Sequence, residues 1–452
     1  MKVFVAGATG VLGRRAVACL AAAGHDVTAV ARTPAKAAAV RALGARPVEV
    51  SLFDPEALKA AVAGHDAIVN LATHIPPVAQ AARPAAWQEN DRIRTEGSRN
   101  LVDAALAAGA RVYVQESIAF LYGDHGGAWV DAATTPIVES PFSEAVRVAE
   151  ANTARFADDG GRGVVLRFGM FWAADAAHTE SLLAAARRGI LLDGVAPDGY
   201  SPTIDVDDAA AAVVAALEAP SGTYDVVAEP RPRREVTRAL ASAVGRRLRR
   251  PPVAGAARRV APQLTWSQRV SNRRFREATG WEPGSPTDAD VVTKVAREAG
   301  LEPALRAPAR LWLWVLALTT GFLGVYAQFF PRGFYDDFPN GRGWVAADGP
   351  YNEHLVRDFG SMNLALAFVA LAALAVASVA VARVAAGAYI VFAVPHALYH
   401  FRHLEHYDTG DQVGNVVSLL AGIAVACAVV AATRARRAHQ APAERRLVPS
   451  EP

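Results

Sequence analysis

Lysine is almost missing from this chain. Of 452 residues only Lys2, Lys36, Lys59 and Lys294 are lysines, and arginine carries the rest of the positive charge. Nothing between Lys59 and Lys294 can supply an ammonium group, which excludes any chemistry that needs one there. Cysteine is nearly as rare. Cys19 and Cys427 sit at opposite ends, each in an apolar helical stretch, so neither a disulfide framework nor a thiolate metal site is available. Two buried thiols in a reducing compartment are expected instead. Charge of one sign is not in excess either: 47 basic against 44 acidic side chains leaves +3, no electrostatic footprint for nucleic acid. The opening MKVFVAGATG is a short β-type run into a glycine turn, without the longer apolar core of a secretion signal.

Apolar residues are plentiful but unevenly placed. Residues 1–304 read as mixed α/β sequence, whereas four long apolar segments follow at 311–330, 362–382, 384–401 and 413–433. Three of them have the length needed to cross a hydrocarbon core of roughly 30 Å; the third is shorter and carries His396 and His400. Almost no charge interrupts them, unlike a soluble bundle helix. Region 305–435 is therefore expected to be an all-α four-helix transmembrane domain in contact with the lipid bilayer. Arg306 and Arg310 precede it, Arg383 is expected in a tight second-to-third turn, and Arg434, Arg436 and Arg437 follow it. The other connections carry Asp336, Asp337, Asp348, Glu353 and Asp358, then Glu405, Asp408 and Asp411. The positive-inside rule places both termini in the cytoplasm, with the protein multi-pass in the cell membrane. The polar tail 436–452 is expected to be disordered.

Short strand signals at Val3–Ala6, Val27–Ala31, Pro47–Val50, Ala67–Leu71, Arg111–Gln115 and Val164–Phe168 alternate with Ala-rich helical stretches. Six such units predict a doubly wound parallel sheet, the α/β Rossmann architecture, over 1–228. A small C-terminal substrate lobe is expected from 229–304 together with about 170–200.

Gly7-Ala8-Thr9-Gly10-Val11-Leu12-Gly13 follows the first strand and opens the first helix. Gly7 permits the tight turn, Gly10 admits a pyrophosphate to the backbone, and Gly13 lets helix and strand pack closely, with free N–H groups facing the phosphates. An ordinary glycine-rich connection is the competing reading. An NAD site puts an acid at the end of the second strand, but here Val30-Ala31-Arg32-Thr33 offers Arg32, aided by Arg14 or Arg15. A guanidinium there suits a 2′-phosphate, so NADP(H) is favoured over NAD(H). A solvated surface arginine would look the same.

These motifs resemble the short-chain dehydrogenase/reductase superfamily, in its extended, epimerase/dehydratase-like branch, over about residues 1–285. The glycine loop resembles the family's TGxxGxxG. Asp54 stands where the family places an adenine-contacting Asp, and Asn70-Leu71-Ala72 matches its cofactor-side strand end, which implies cofactor contacts at Leu71 and Ala72. Asn100-Leu101-Val102-Asp103-Ala104-Ala105, Arg167-Phe168-Gly169, Ile204-Asp205-Val206-Asp207-Asp208, Gly222-Thr223-Tyr224 and Phe275 to Pro283 resemble its later landmarks. The resemblance also implies a catalytic Tyr with a Lys four residues on, whose charge lowers the phenol's pKa for proton exchange. Phe142 and Val146 occupy those positions. The polar position before Tyr122-Gly123 falls on Ile118, with Ser117 one place earlier. Glu116, Ser117 and Tyr122 remain as candidates for proton transfer or substrate hydrogen bonds; Tyr122 packing in the core and Glu116 bonding the backbone are the structural alternatives.

His396, His400 and His403 recur at helical spacing near the outer end of the third apolar segment, with Glu405, His406, Asp408 and Asp411 next. Histidine is a common ligand, so a metal or haem site on these three is one reading and interhelical hydrogen bonding the other. The whole predicts a membrane-anchored, NADPH-binding, epimerase/dehydratase-like oxidoreductase acting on a small, lipid-like substrate. The alternatives are a non-catalytic redox sensor or scaffold, and a membrane module that performs the chemistry with electrons from the first domain.

Overall fold

A computed structural model describes residues 1–76, 80, 83–192, 196–249, 265–301, 305 and 307–433. Arg306, Arg434, Arg436, Arg437 and the tail 436–452 lie outside these residues, as does part of the expected lobe at 250–264. The chain divides into two compact units, Met1–Leu301 and Glu302–Pro452.

In the first unit the strands run β1 (Lys2–Ala6), β2 (Asp26–Val30), β3 (Arg46–Val48), β4 (Ala67–Asn70), β5 (Val112–Ile118) and β6 (Trp129–Val130). They continue as β7 (Arg162–Phe168), β8 (Met170–Trp172), β9 (Thr203–Asp205), β10 (Gly222–Val226) and β11 (Arg269–Val270). Seven of them form one sheet in the order β10-β7-β5-β4-β1-β2-β3, every neighbouring pair parallel. The expected doubly wound sheet is present with a strand more than the six foreseen. That strand, β10, holds the buried Asp225, and a charged residue hides it from a search for apolar runs.

Between the strands lie α1 (Val11–Ala22), α2 (Pro34–Ala42), α3 (Pro55–Val62), α4 (Gln88–Arg92), α5 (Ser98–Ala107) and α6 (Pro141–Asp158). Then come α7 (Ala177–Arg187), α8 (Val206–Ala216), α9 (Arg233–Val244), α10 (Arg273–Thr279) and α11 (Asp288–Glu298). Strand side chains alternate between faces. Val3, Val5, Val69, Val114 and Leu166 pack on the side that takes α1 and α8, while Phe4, Ile68 and Tyr113 meet Leu58, Leu101 and Phe156 on the other. Two short parallel pairs, β6 with β11 and β8 with β9, stand outside the main sheet.

The second unit contains α12 (Ala307–Phe329), α13 (Pro331–Asp337), α14 (Trp344–Ala347), α15 (Glu353–Val376), α16 (Val379–Phe401) and α17 (Thr409–Ala432). Of these, α12, α15, α16 and α17 are long and apolar enough to cross a membrane. Their packing inverts that of a soluble bundle. The interior is small, with Ala317, Gly324, Ala367, Ala370, Ala385 and Ala386 buried, whereas Leu318, Phe322, Phe368, Val391 and Leu398 point outward. A Cβ on Gly360 would lie 2.6 Å from the backbone nitrogen of Gln328, and one on Gly324 would lie 2.8 Å from that of Leu364. Contact of small residues is the general means by which helices associate in lipid, where burying large apolar groups gains little.

Element limits differ from the apolar runs. Asn352 caps α15, whose first turns carry His354, Arg357 and Asp358 ahead of the run at 362–382. The turn to α16 falls at Ala377-Ser378 because Ser378 caps the next helix; Arg383 lies inside α16, bonded to Thr433. An apolar run contains no signal for a turn within it. Cys19 is half-buried and Cys427 faces out of the bundle, both free thiols, so the expectation of two buried thiols is corrected.

Added bulk at Gly13 has nowhere to go, since a Cβ there would lie 2.0 Å from the Gly7 carbonyl oxygen. Gly13→Ala is expected to lower the stability of the first unit by about 1–3 kcal/mol, read from denaturant unfolding. An unchanged midpoint would show that the turn yields.

Candidate functional site

The β1–α1 turn is shaped by two close approaches, at Gly7 and Gly13. Gly7 adopts φ +78°, and a Cβ on it would sit 2.4 Å from the Leu71 carbonyl at the end of β4. Gly10 is the exposed N-cap of α1, with no side-chain cap, so the first N–H groups of the helix, at Val11, Leu12 and Gly13, have no partner in front of them among the described residues. Thr9 and Val11 line the turn, partly exposed. An uncapped helix start bounded by glycines is a fit for a pyrophosphate. Asp54 caps α3 by accepting from the Ala57 N–H (3.1 Å) and is otherwise exposed. Leu71 is buried and Ala72 partly so, directly beneath Gly7.

The cations near this turn are not equivalent. Arg14 is paired with Asp175, and Arg15 binds Asp175 (3.0 Å) and Asp207 (2.7 Å). Lys294, the one lysine beyond Lys59, bridges Asp205 (2.7 Å) and Asp207 (2.9 Å). Burial opposes the charge on Lys294, but those two carboxylates outweigh it and hold its pKa above the ordinary lysine value. Arg32 is exposed at the end of β2 and makes no ion pair among the described residues.

At the C-terminal half of β5 the polar side chains are drawn into two buried groups. Glu116 pairs with Arg94 (2.8 Å), itself on a π-helical turn, Ile93–Gly97, between α4 and α5. Burial pushes the Glu116 carboxyl up, and Arg94 offsets only part of that. Ser117 donates to Glu150 of α6 (2.5 Å). Glu150 is held in turn by Arg167 through two bonds (2.9 and 2.7 Å), Arg167 donates to the Tyr122 hydroxyl (3.0 Å), and Tyr122 donates to Asp225 (2.5 Å). The other Asp225 oxygen accepts from the Ala132 N–H (2.7 Å). Burial first, then the Asp225 charge, raises the Tyr122 phenol well above its usual range. Burial pushes Asp225 itself up to about 7. Glu116 thus turns to Arg94, while Ser117 and Tyr122 are the two ends of one chain through Glu150 and Arg167, each already hydrogen-bonded.

Phe142 and Val146 stand on the first turns of α6 and join Ile118, Leu121 and Ile137 in an apolar cluster, with Phe142 edge-on to Trp87 (4.8 Å). Arg94, Glu150 and Asp225 are additions that the sequence did not single out. Arg94 carries no local signal; its burial follows from the π turn, which a periodicity search does not detect.

The three histidines share no common centre: the His396 and His400 rings meet edge-on (4.7 Å), but each ring has its own further partners. His396 stacks on Phe392 (5.2 Å), His403 stacks on Tyr399 (4.4 Å), and His400 turns to Asp348 (3.5 Å), which His406 approaches from the other side (3.5 Å). Among the described residues no group of three His, Cys, Asp or Glu side chains is arranged to hold a metal ion. The reading of His396, His400 and His403 as one ligand set is corrected: helical spacing aligns Cα atoms, while neighbouring aromatic rings and Asp348 set the ring directions.

The raised Asp225 gives a pH signature. Its folded value lies above the unfolded carboxylate value of about 3.9, so the folded protein binds the extra proton and the group's contribution to stability is lost as pH rises towards 7. Asp225→Asn cannot ionise and is expected to gain stability relative to the unmutated protein between pH 5 and pH 8, measured by thermal unfolding. A difference independent of pH would show an ordinary carboxyl.

Comparison with known proteins agrees with this geometry. The model of the NAD dependent epimerase/dehydratase family matches residues 3–227. A Streptomyces protein named 3-diazoavenalumate denitrifying reductase is 33% identical over 310 residues, 64% of this chain and 98% of that protein. A Stigmatella aurantiaca protein named 4-hydroxy-2-methyl-3-oxo-4-farnesyl-3,4-dihydroquinoline-1-oxide ketoreductase is 30% identical over 191 residues, 41% of this chain and 55% of that one. The crystal structure of human epimerase family protein SDR39U1 with NADPH superposes with a TM-score of 0.55 at 26% identity, covering 66% of this chain and 99% of that one. This chain belongs to the NAD dependent epimerase/dehydratase family.

Proposed function

We propose that the protein is an NADPH-dependent reductase, tethered to a membrane by its C-terminal bundle, that acts on a small, lipid-like molecule. The observation that carries this reading is the uncapped start of α1 between Gly7, Gly10 and Gly13, in a chain whose relatives include two proteins named as reductases. Thr9, Val11 and Leu12 complete the phosphate cradle, Asp54 meets the adenine, and Leu71 and Ala72 line the nicotinamide side. Arg32, free of carboxylate partners among the described residues, meets the 2′-phosphate. The two reductase names favour reduction over sugar epimerisation.

When bound, the nicotinamide supplies a hydride. This chain's own groups then decide what receives it. Phe142 and Val146 replace the family's proton-donating pair, so the acceptor is one whose reduction asks little of a phenol. Ser117, oriented by Glu150, and Glu116, whose carboxyl burial pushes up against the pull of Arg94, are the groups placed to give or hold a proton; Tyr122, locked between Asp225 and Arg167, positions the strand end. In the membrane, Arg310 and Arg383 fall at one end of the bundle. Arg332, Arg342, Arg357 and Arg402 fall at the other with the acids, so the reading of cytoplasmic termini rests on Arg306, Arg434, Arg436 and Arg437 of the sequence as well.

The test is deuterium transfer from NADPH labelled at C4 to a panel of carbonyl, quinoid and diazo compounds, using the full chain in detergent. Label is expected in at least one product, with Ser117→Ala lowering kcat by about 100-fold and Tyr122→Phe by much less. If NADPH binds and no compound takes the label, the sensor or scaffold reading replaces this one. Equal turnover of Ser117→Ala and the unmutated protein would remove the proton role of Ser117.

A further inference from the structure

Arg269 is an oddity among the cations of the first unit. Its guanidinium carbon lies 4.0 Å from the centre of the Trp129 ring and 5.1 Å from that of Tyr200. Its Nε is buried without a hydrogen-bond partner, and no carboxylate pairs with the side chain among the described residues. An arginine gripped by two rings but given no anion is costly to keep, because its Nε–H is removed from water without replacement. Trp129 is 51% exposed, which is unusual for so large a ring in a strand.

The position is fixed from three directions. Arg269 sits opposite Trp129 in the β6–β11 register. The Gln268 N–H donates to the Tyr200 carbonyl (3.0 Å), and the Tyr200 N–H donates to the Ser267 hydroxyl (3.1 Å). The Gln268 side chain accepts from the Tyr122 N–H (3.0 Å) and donates to the Phe120 carbonyl (3.3 Å), so β11 is tied to the chain just beyond β5. The group is therefore held beside Phe120 and Tyr122, in the segment that follows the end of β5.

We propose that Arg269, Trp129 and Tyr200 form the anion-anchoring part of the substrate site, and that the substrate is a planar, conjugated carboxylate. This rests on the reductase reading above. Rings against the guanidinium leave its N–H edge open, and that edge presents two parallel donors matching a carboxylate. The exposed indole beside it offers a flat apolar surface to the body of the molecule that bears the carboxylate. A compact inorganic anion would use the first feature and leave the second unused.

The test uses trans-cinnamate, its methyl ester and inorganic phosphate as probes, titrated calorimetrically into the NADPH-loaded full chain. Cinnamate is expected to bind at least about 10-fold more tightly than the ester, and phosphate to compete poorly. Arg269→Ala should bring acid and ester to equal affinity while NADPH still binds, and Arg269→Lys should retain part of the preference for the acid. Trp129→Ala should weaken both organic probes. Equal affinity of acid and ester in the unmutated protein, or a preference that survives Arg269→Ala, overturns the proposal. Phosphate competing as well as cinnamate overturns the planar class. If NADPH itself fails to bind, the reductase reading falls, whereas loss of acid–ester discrimination with NADPH bound strikes only this inference.

Discussion

The first unit depends on one contact between backbones: the β1–α1 turn lies directly on the end of β4 and on the start of its own helix. Neither approach leaves room for a Cβ at Gly7 or Gly13. That contact aims the uncapped start of α1 across the C-terminal edge of the sheet, where parallel strands leave their crevice. Arg32, Asp54, Leu71 and Ala72 reach the same edge because they end neighbouring strands or open the helices that follow. The cofactor reading therefore rests on strand order as much as on the glycines.

Beyond that edge the unit buries charge to an unusual degree. Arg94 with Glu116, and the chain from Ser117 through Glu150, Arg167 and Tyr122 to Asp225, join β5 to α6, β7 and β10. Pairs of this kind contribute little net stability against apolar replacements, but removing one partner is expensive. They fix geometry. The same logic makes Arg269 stand out, since among the described residues it faces two rings and no acid. The bundle follows an opposite rule, with small residues inside, large ones outside, and polar groups concentrated near Asp348, Tyr407 and His400.

Much of this was legible in the sequence. The glycine spacing, the strand–helix alternation and the four apolar runs each reflect a local physical demand, and each locates its element. Less legible were features made by partners distant in the chain. Tyr122 reads as a candidate acid until Asp225 and Arg167 close around its hydroxyl. His396, His400 and His403 read as a ligand face until Phe392, Tyr399 and Asp348 give each ring a different partner. Arg94 gives no signal because a π turn, not helical periodicity, buries it. Arg269 looks like one of many arginines until Trp129 is found opposite it.

The most direct measurement is a calorimetric titration of the full-length protein in detergent with NADPH and with NADH, repeated on Arg32→Ala. The account predicts that NADPH binds at least about 10-fold more tightly than NADH, a difference of about 1.4 kcal/mol, and that the variant loses this preference while still binding both. A folded protein that binds neither nucleotide would contradict it, and the glycine turn would then be a feature of packing alone.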